Sequence, residues 1–283
     1  MHADFDPSSR LCTGAFDYLR DGCPDTWGWV ADLVNLGVCE PGKMLDPSSP
    51  FKGSEKWNDL IGKDSPTSDG KDGCPIVRYS HGACDEMLAG GTYAATDGTR
   101  APYLASALID KGYNSNYVAS WYLVRGGPKL DATYTVAGGI VMTWPLDVYA
   151  ALPANNAETG KGLGSTSGPL TMTMLEASTI PSSNIPLLGC GGPGDPGEAI
   201  LSDTLTSADT ETTYIEQGER LCEAFCDGPS SYVATNGIWI PDGAAVDLSL
   251  QAAAETAGDW DTITAGASTA GSFADNYFLH DTR

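Results

Sequence analysis

The sequence is poor in basic residues and in histidine. Only 15 of its 283 residues are Lys or Arg, against 37 Asp or Glu, so the formal net charge is −22 at pH 7, and His occurs three times. A surface of this sign repels phosphate backbones and anionic lipid headgroups. The charge therefore disfavours binding to nucleic acid or to a membrane surface.

Long hydrophobic runs are missing as well. No stretch of about 18 apolar residues occurs, which is the length that a membrane-spanning helix needs. The first ten residues are polar and contain no signal-peptide core. Because the cysteines described below indicate export, we expect this chain to be a soluble domain that has been separated from its export signal.

The residues that are present can build a folded core. Hydrophobic residues make up 41% of the chain and include seven Trp and twelve Tyr, while 34 Gly and 18 Pro indicate many loops. There is no internal repeat and no linker long enough to separate two domains. We therefore expect a single α+β domain over residues 1–283, with a flexible C-terminal segment at 257–283.

Apolar spacing and end signals predict several helices. The predicted helices cover residues 24–36, 54–61, 102–111 and 213–225. One apolar stripe on the first helix is formed by Trp27, Val30, Ala31 and Val34. Gly62 and Gly112 are typical residues for the end of a helix. These patterns place most of the helices in the first half of the chain.

Aromatic and β-branched residues predict antiparallel strands in the middle of the chain. The predicted strands cover residues 117–125, 134–136, 140–144 and 170–174. In the last of these, Met172 and Met174 alternate with threonines, which is typical of a strand with one buried face. Residues 189–197 are so rich in Gly and Pro that we expect no regular structure there.

The eight cysteines favour disulfide bonds. An even count within Gly- and Pro-rich segments is typical of an oxidising compartment, so we expect an extracytoplasmic protein of the periplasm, the cell surface or the medium. Zinc is the alternative, but there is no Cys-x2-Cys pair and only His81 lies near a cysteine. The sequence does not fix the connectivity, because eight cysteines can form disulfide bonds in many different combinations. Local closure favours three bonds, Cys12 with Cys23, Cys74 with Cys84 and Cys222 with Cys226, which leaves Cys39 to pair with Cys190.

One short motif is typical of a serine hydrolase. Residues 78–83 (RYSHGA) resemble the nucleophile elbow Gly-x-Ser-x-Gly of cutinase-like esterases, with Ser80 as the nucleophile. Arg78 replaces the first glycine, and His280 is the only histidine that follows in the chain. The alternative interpretation is a loop serine and a surface histidine, since the expected strand and helix around the motif are not predicted here.

An acidic loop is a candidate calcium site. Asp64, Asp69 and Asp72 lie in a Gly-containing loop and supply the carboxylate oxygens that Ca²⁺ prefers. The EF-hand spacing is absent, so an ordinary solvated turn is the alternative. Calcium is the only cofactor for which the sequence offers ligands.

Aromatic residues offer a third kind of function. A carbohydrate-binding adhesin would use an exposed aromatic face, whereas aromatic residues on predicted helices and strands more often belong to the core. The candidates for such a face are Trp27, Trp29, Trp57, Trp121 and Tyr122.

Four longer segments together resemble a known family. They resemble the large prepilin-like proteins that are abundant in planctomycete bacteria, which in turn resemble type II secretion pseudopilins and type IV pilins. The first segment reads LCTGAFDYLRDGCPDTWGWVADLVN. The four segments cover residues 11–35, 42–62, 112–128 and 168–188, and shorter similar stretches occur at 225–229 and 279–283.

The resemblance implies a pilin-like α+β fold with an antiparallel sheet, short helices and long disulfide-braced loops. It implies a non-catalytic structural subunit of a surface or secretion filament, whose partners are other subunits in a homo- or hetero-oligomer. In that family a hydrophobic N-terminal helix precedes the globular part and provides the membrane contact, and this sequence contains no such helix. Where relatives often have a Cys-Pro pair, this chain has Asp46-Pro47, so its disulfide set is expected to differ.

Overall fold

The computed structural model describes the larger part of residues 4–226 and two later strands. The described residues are Asp4, 6–62, 74–88, 90–96, 98–127, 162–163, 166–179, 181–194 and 198–226, with strand backbone at 131–136, 139–143, 231–233 and 238–240. The segment at 257–283, predicted to be flexible, lies outside these residues, and the single-domain prediction for residues 1–283 stays a prediction.

The described helices are short, and each lasts one or two turns. In chain order they are α1 (Tyr18–Asp21), α2 (Trp29–Asn35), α3 (Lys56–Ile61), α4 (Arg100–Ala107), α5 (Trp121–Arg125) and α6 (Met172–Ala177). Single turns of 3₁₀-helix lie between them at Pro41–Lys43, Ile76–Arg78, Gly82–Met87, Ile109–Lys111 and Ser182–Asn184.

The described strands form three small antiparallel sheets. The strands are β1 (Tyr117–Ala119), β2 (Asp131–Val136), β3 (Gly139–Thr143), β4 (Leu188–Cys190), β5 (Leu205–Thr206), β6 (Thr213–Ile215), β7 (Ser231–Val233) and β8 (Ile238–Ile240). β1 pairs with β4, β5 pairs with β6, and the third sheet has the order β2-β3-β7-β8. Helices and antiparallel sheets thus occur together, which agrees with the α+β prediction.

Three predicted helices and two predicted strands are confirmed within a few residues. α2, α3 and α4 lie in the segments predicted as helical, and β2 and β3 lie in those predicted as strands. Gly62 ends α3 at φ 103°, and Gly112 ends the 3₁₀ turn after α4 at φ 91°. Both are left-handed conformations that favour glycine, so these end signals acted as expected.

Two strand predictions fail where a hydroxyl side chain begins a helix inside the predicted strand: the strand predicted at 117–125 is confirmed only at Tyr117–Ala119, and that at 170–174 is wrong. The Ser120 hydroxyl accepts the Leu123 N–H at 3.0 Å, so β1 stops at Ala119 and α5 follows. In the same way, the Thr171 hydroxyl accepts the Met174 N–H at 3.1 Å and begins α6. Such N-caps satisfy backbone donors that a strand would leave to a partner.

The helix predicted at 213–225 is also wrong. Thr213–Ile215 forms β6 instead, and Gly218 follows at φ 90°, a conformation that a helix interior does not allow. The expectation of irregular structure over 189–197 is wrong at its first two residues, since Gly189 and Cys190 belong to β4. The pairing with β1, which is distant in sequence, decides their conformation.

One hydrophobic cluster holds most of the described elements together. Trp57 on α3 and Trp121 on α5 are its largest fully buried apolar side chains. Phe16 meets Trp57 edge-on, with ring centroids 5.8 Å apart. All residues of α3 are buried, including charged ones, so this core contains ionic as well as apolar contacts. Among the described residues, no helix has the length and apolar character needed to cross a membrane.

Candidate functional site

The structure gives Ser80 a structural contact. Ser80 follows the 3₁₀ turn Ile76–Arg78, and its hydroxyl donates to the Val77 carbonyl at 3.2 Å. His280, the histidine expected to activate it, lies outside the described residues. The described part of the chain therefore does not bring the two residues of the predicted hydrolase together, and that function stays a prediction.

The predicted calcium ligands Asp64, Asp69 and Asp72 also lie outside the described residues. Within the described residues, no three His, Cys, Asp or Glu side chains are grouped so that they could hold a metal ion. Calcium binding by the acidic loop thus stays a prediction.

One disulfide is present, and it joins residues that local closure does not pair. Cys23 and Cys84 are bonded, which links the segment before α2 to the 3₁₀ helix Gly82–Met87. The predicted bonds Cys12–Cys23 and Cys74–Cys84 are therefore wrong, because tertiary packing brings together sulfurs that are 61 residues apart. The predicted bonds Cys39–Cys190 and Cys222–Cys226 are not formed either, since Cys12, Cys39, Cys74, Cys190 and Cys222 are free thiols.

Three of these thiols are buried and protonated, so they are poor nucleophiles. Burial raises the pKa of Cys12 and Cys222, and it raises the pKa of Cys74 to about 12, so these three side chains are protonated at neutral pH. Cys190 is exposed and its thiol lies 3.6 Å from the Asp46 carboxylate. The buried thiols Cys12, Cys74 and Cys222 therefore lack the exposure and low pKa of a nucleophile.

The tryptophans proposed for a sugar-binding face mostly belong to the core. Trp29, Trp57 and Trp121 are buried and cannot reach an external ligand. Trp27 is half-buried, and the Arg78 guanidinium lies 4.1 Å from the centre of its ring. Of the five residues, Tyr122 alone is well exposed.

A network of buried ion pairs lies beneath α1, α3 and α5. Asp21 and Arg125 are both fully buried and share two hydrogen bonds of 2.9 and 2.7 Å. The Arg125 guanidinium also stacks over Phe225, 4.5 Å from the ring centre. On α3, the buried Lys56 ammonium pairs with Glu55 at 2.5 Å. These contacts lie in the interior, where they hold elements together and are closed to a ligand.

A groove of about 880 Å³ lies along the outward face of α4. Asp25, Gly82 and Ala83 line one side of the groove, and the turn at Ala208–Asp209 lines another. The face contributed by α4 and its flanking residues follows helical spacing: Thr99, Pro102, Tyr103, Ser106, Ala107 and Lys111.

Two tyrosines form an aromatic platform in this groove. Tyr93 and Tyr103 stack with ring centroids 3.9 Å apart and an angle of 15° between the planes. The Tyr103 hydroxyl donates to the Ala83 carbonyl at 2.8 Å. The buried Arg100 guanidinium donates to the Tyr93 carbonyl at 3.0 Å and to the Ala94 carbonyl at 2.9 Å. The platform is therefore rigidly held.

An exposed apolar edge lies on a different part of the surface. Leu187 is 39% exposed and Leu188 is 43% exposed. β1 covers one edge of β4, and among the described residues no strand pairs with the other edge. Tyr122 on α5 is 48% exposed and lies nearby, since the Ser120 N–H donates to the Leu187 carbonyl at 2.8 Å. We call Tyr122, Leu187 and Leu188 the apolar edge.

Of the residues that form these two surfaces, sequence reasoning named only Tyr122, and it did so for a sugar-binding face. A signal existed for the groove, because small residues and tyrosine recur at helical spacing around Pro102. Leu187 and Leu188 lie in a segment of Ser, Asn and Pro that is typical of a loop, and the long-range pairing of β4 with β1 cannot be inferred from that pattern. Comparison with protein family models, with curated protein sequences and with solved structures finds no match to this chain.

Proposed function

We propose that this chain is a non-catalytic structural subunit, the exported globular head of a pilin-like or pseudopilin-like protein that assembles with neighbouring subunits. The observation that carries the proposal is the apolar edge. The resemblance of four segments between residues 11 and 188 to prepilin-like proteins supplies the class of assembly, and the pilin-like fold is part of the proposal.

The apolar edge has the properties of an association surface. An unpaired strand edge presents backbone N–H and C=O groups to any strand of another chain. Proteins that stay monomeric usually protect such edges with charged residues, whereas β4 presents Leu188 and is preceded by Leu187. Adding Tyr122 gives a patch of three large apolar side chains on a chain of net charge −22. A neighbouring subunit would bury this patch.

The charge of the chain sets the conditions for that association. Two heads of charge −22 repel each other, and the repulsion extends over a Debye length of about 10 Å at 0.1 M salt. Added salt shortens this distance and leaves apolar burial intact. Association through the apolar edge should therefore become stronger as the salt concentration rises.

The disulfide supports a location outside the cytosol. Bonds such as Cys23–Cys84 persist in oxidising compartments and are rare where thiols are kept reduced. A bond that ties two segments of a subunit head also limits local opening, which suits a protein with a mechanical role.

Analytical ultracentrifugation over a range of salt concentrations tests the association. The chain should be mostly monomeric at 20 mM salt and should form dimers or larger species at 500 mM salt. The variant Leu188→Asp should remain monomeric at both. Met44→Asp is the matched control, because Met44 is 59% exposed and is not one of the three residues of the apolar edge. A chain that stays monomeric at high salt, or a Met44→Asp variant that loses association equally, contradicts the proposal.

The non-catalytic part of the proposal has a separate test. A fluorophosphonate probe labels activated serines of hydrolases, and we expect no labelling of this chain. Labelling that disappears in Ser80→Ala would show a serine hydrolase instead.

A further inference from the structure

The groove along α4 has features of a ligand site and is independent of the apolar edge. Its volume of about 880 Å³ falls within the range of about 300–1,000 Å³ that small-ligand sites occupy. The residues that line it come from five separate parts of the chain: Asp25, Gly82–Ala83, Tyr93, the α4 region and Ala208–Asp209.

The tyrosine platform provides a flat apolar surface that is fixed before any ligand arrives. One face of each ring is used in the Tyr93–Tyr103 stack, and both residues line the groove. Tyr103 is anchored through its hydroxyl to Ala83, and Tyr93 is anchored through its backbone, whose N–H donates to the Glu86 carbonyl at 2.8 Å. A rigid platform binds a flat ligand face at a small cost in conformational entropy.

Polar groups surround this platform. The Asp25 carboxylate accepts the Ala83 N–H at 2.7 Å and the Thr26 hydroxyl at 2.9 Å, which fixes its position while leaving it half-exposed. Ser106 holds the opposite wall, since its hydroxyl accepts the Ala208 N–H at 2.9 Å. Lys111 and Asp209 are exposed at the rim and add one donor and one acceptor group.

These properties favour a sugar over a peptide. Peptide grooves take large aliphatic or aromatic anchors into apolar pockets, or offer a free strand edge. Among the described residues, the lining of this groove contains no Leu, Ile, Val, Met or Phe, and its floor is a helix, whose backbone groups are already bonded. A pyranose ring needs what the groove offers, a flat aromatic face for its C–H bonds and carboxylates for its hydroxyls.

We propose that the groove binds a neutral oligosaccharide, with a sugar ring stacked on the Tyr93–Tyr103 platform and its hydroxyls bonded to Asp25 and Asp209. An acidic sugar is excluded by the two carboxylates in the lining and by the charge of −22 on the chain. The site would give the head a role in attachment, in addition to assembly.

Isothermal titration calorimetry tests this proposal with defined probes. The neutral probes are cellohexaose, maltohexaose and chitohexaose, and the acidic probe is a polygalacturonate hexamer. At least one neutral probe should bind the full chain, and the acidic probe should not. Tyr103→Ala should weaken binding at least tenfold, and Asp209→Ala should weaken it several-fold without disturbing the fold, because Asp209 is exposed. Tyr122→Ala is the matched control and should leave binding unchanged.

Several outcomes would overturn the proposal. They are the absence of binding by all three neutral probes at 10 mM, stronger binding of the acidic probe, an equal loss in Tyr122→Ala, or binding that is unaffected by Asp209→Ala and Tyr103→Ala. Selection of displayed peptides that bind only when Tyr103 is present, without any sugar binding, would show a peptide site. Failure here is distinguishable from failure of the proposed assembly, since Tyr103→Ala should keep the salt-dependent association that Leu188→Asp removes.

Discussion

The two ends of α5 lie in opposite environments, and each carries an unexpected side chain: a charged residue is buried at one end and an aromatic residue is exposed at the other. Arg125 is charged and fully buried, whereas Tyr122 is a large aromatic residue that is 48% exposed beside the apolar edge. The buried charge is tolerated because Asp21 pairs with it through two hydrogen bonds. The exposed apolar edge has no comparable compensation among the described residues.

The buried charges have partners within the described chain, whereas the apolar edge is exposed, which is the surface that the proposed assembly would bury. Inside, charged groups of α1, α3 and α5 form ion pairs. Removing one member of such a pair should therefore destabilise the fold. Outside, Leu187 and Leu188 contribute apolar surface that the described part of the chain leaves exposed to water. Mutations inside should therefore change stability, and mutations at the edge should change assembly.

The largest effect is expected from breaking the buried ion pair. Arg125→Met leaves the Asp21 carboxylate buried without its partner, which typically costs about 3–5 kcal/mol in the free energy of unfolding. Urea denaturation measures the change. The double variant Asp21→Asn with Arg125→Met removes both charges and should be more stable than Arg125→Met alone. If the two variants are equally stable, the pairing of the charges does not explain why the interior tolerates them.

Loss of the disulfide should have the next largest effect. Replacing both Cys23 and Cys84 by Ala frees a loop that spans 61 residues in the unfolded chain, and such a change typically costs about 2–4 kcal/mol. Urea denaturation under non-reducing conditions gives the difference from the parent chain. Cys190→Ala is the control, because Cys190 is an exposed free thiol and its replacement should have little effect. If Cys190→Ala lowers the free energy of unfolding more than the double replacement does, the Cys23–Cys84 bond is not what stabilises the fold.

Acid should weaken the interior through Asp17. Burial opposes ionisation of this carboxylate, but attraction by Arg20 and Lys56 and a hydrogen bond from Arg20 outweigh it, so its pKa in the folded chain is lowered. A lowered pKa stabilises the fold above the unfolded value of 3.8, and this stabilisation is lost as the pH falls below it. Thermal melts between pH 7 and pH 2.5 should show this loss.

Asp17→Asn isolates the charge in that experiment. Asn still caps α1, whose Leu19 and Arg20 N–H groups bond to the Asp17 carboxylate, so the cap itself is retained. The variant should be less stable than the parent at pH 7 and should depend less on pH in the acid range. An unchanged pH profile would show that other carboxylates cause the acid loss.

The smallest effect on stability is expected at the apolar edge. Leu188→Asp should change the free energy of unfolding by no more than about 0.5 kcal/mol, because the side chain is 43% exposed. Urea denaturation at low salt, where the chain is monomeric, measures it. A loss of more than about 2 kcal/mol in the free energy of unfolding would mean that Leu188 supports the fold. The apolar edge would then affect stability as the interior does.

Local patterns predicted the fold where local interactions decide it. The apolar stripe of α2 and the glycines that end α3 and the turn after α4 are sequence signals with a direct physical cause, and they were sufficient. Ser120 and Thr171 show where such patterns fail. Each lies in a stretch of strand-forming residues. Its hydroxyl accepts the backbone N–H three positions later, and this N-cap begins a helix instead.

Long-range contacts account for the remaining differences. The pairing of β1 with β4 joins residues about 70 positions apart, and the bond between Cys23 and Cys84 spans 61 positions. Neither leaves a periodic signal in the sequence. The tyrosine platform and the apolar edge depend on such contacts as well, so both surfaces became visible only in the folded chain.

The central claim, that the apolar edge joins one subunit to the next, can be tested directly in cells that make the protein. A photo-crosslinking amino acid is placed at position 188, and the same group at position 44 serves as the control. We predict crosslinked dimers and higher multiples of this chain from position 188, in an extracytoplasmic fraction, and few from position 44. If position 188 yields only uncrosslinked monomer, or if both positions yield the same products, the account is contradicted.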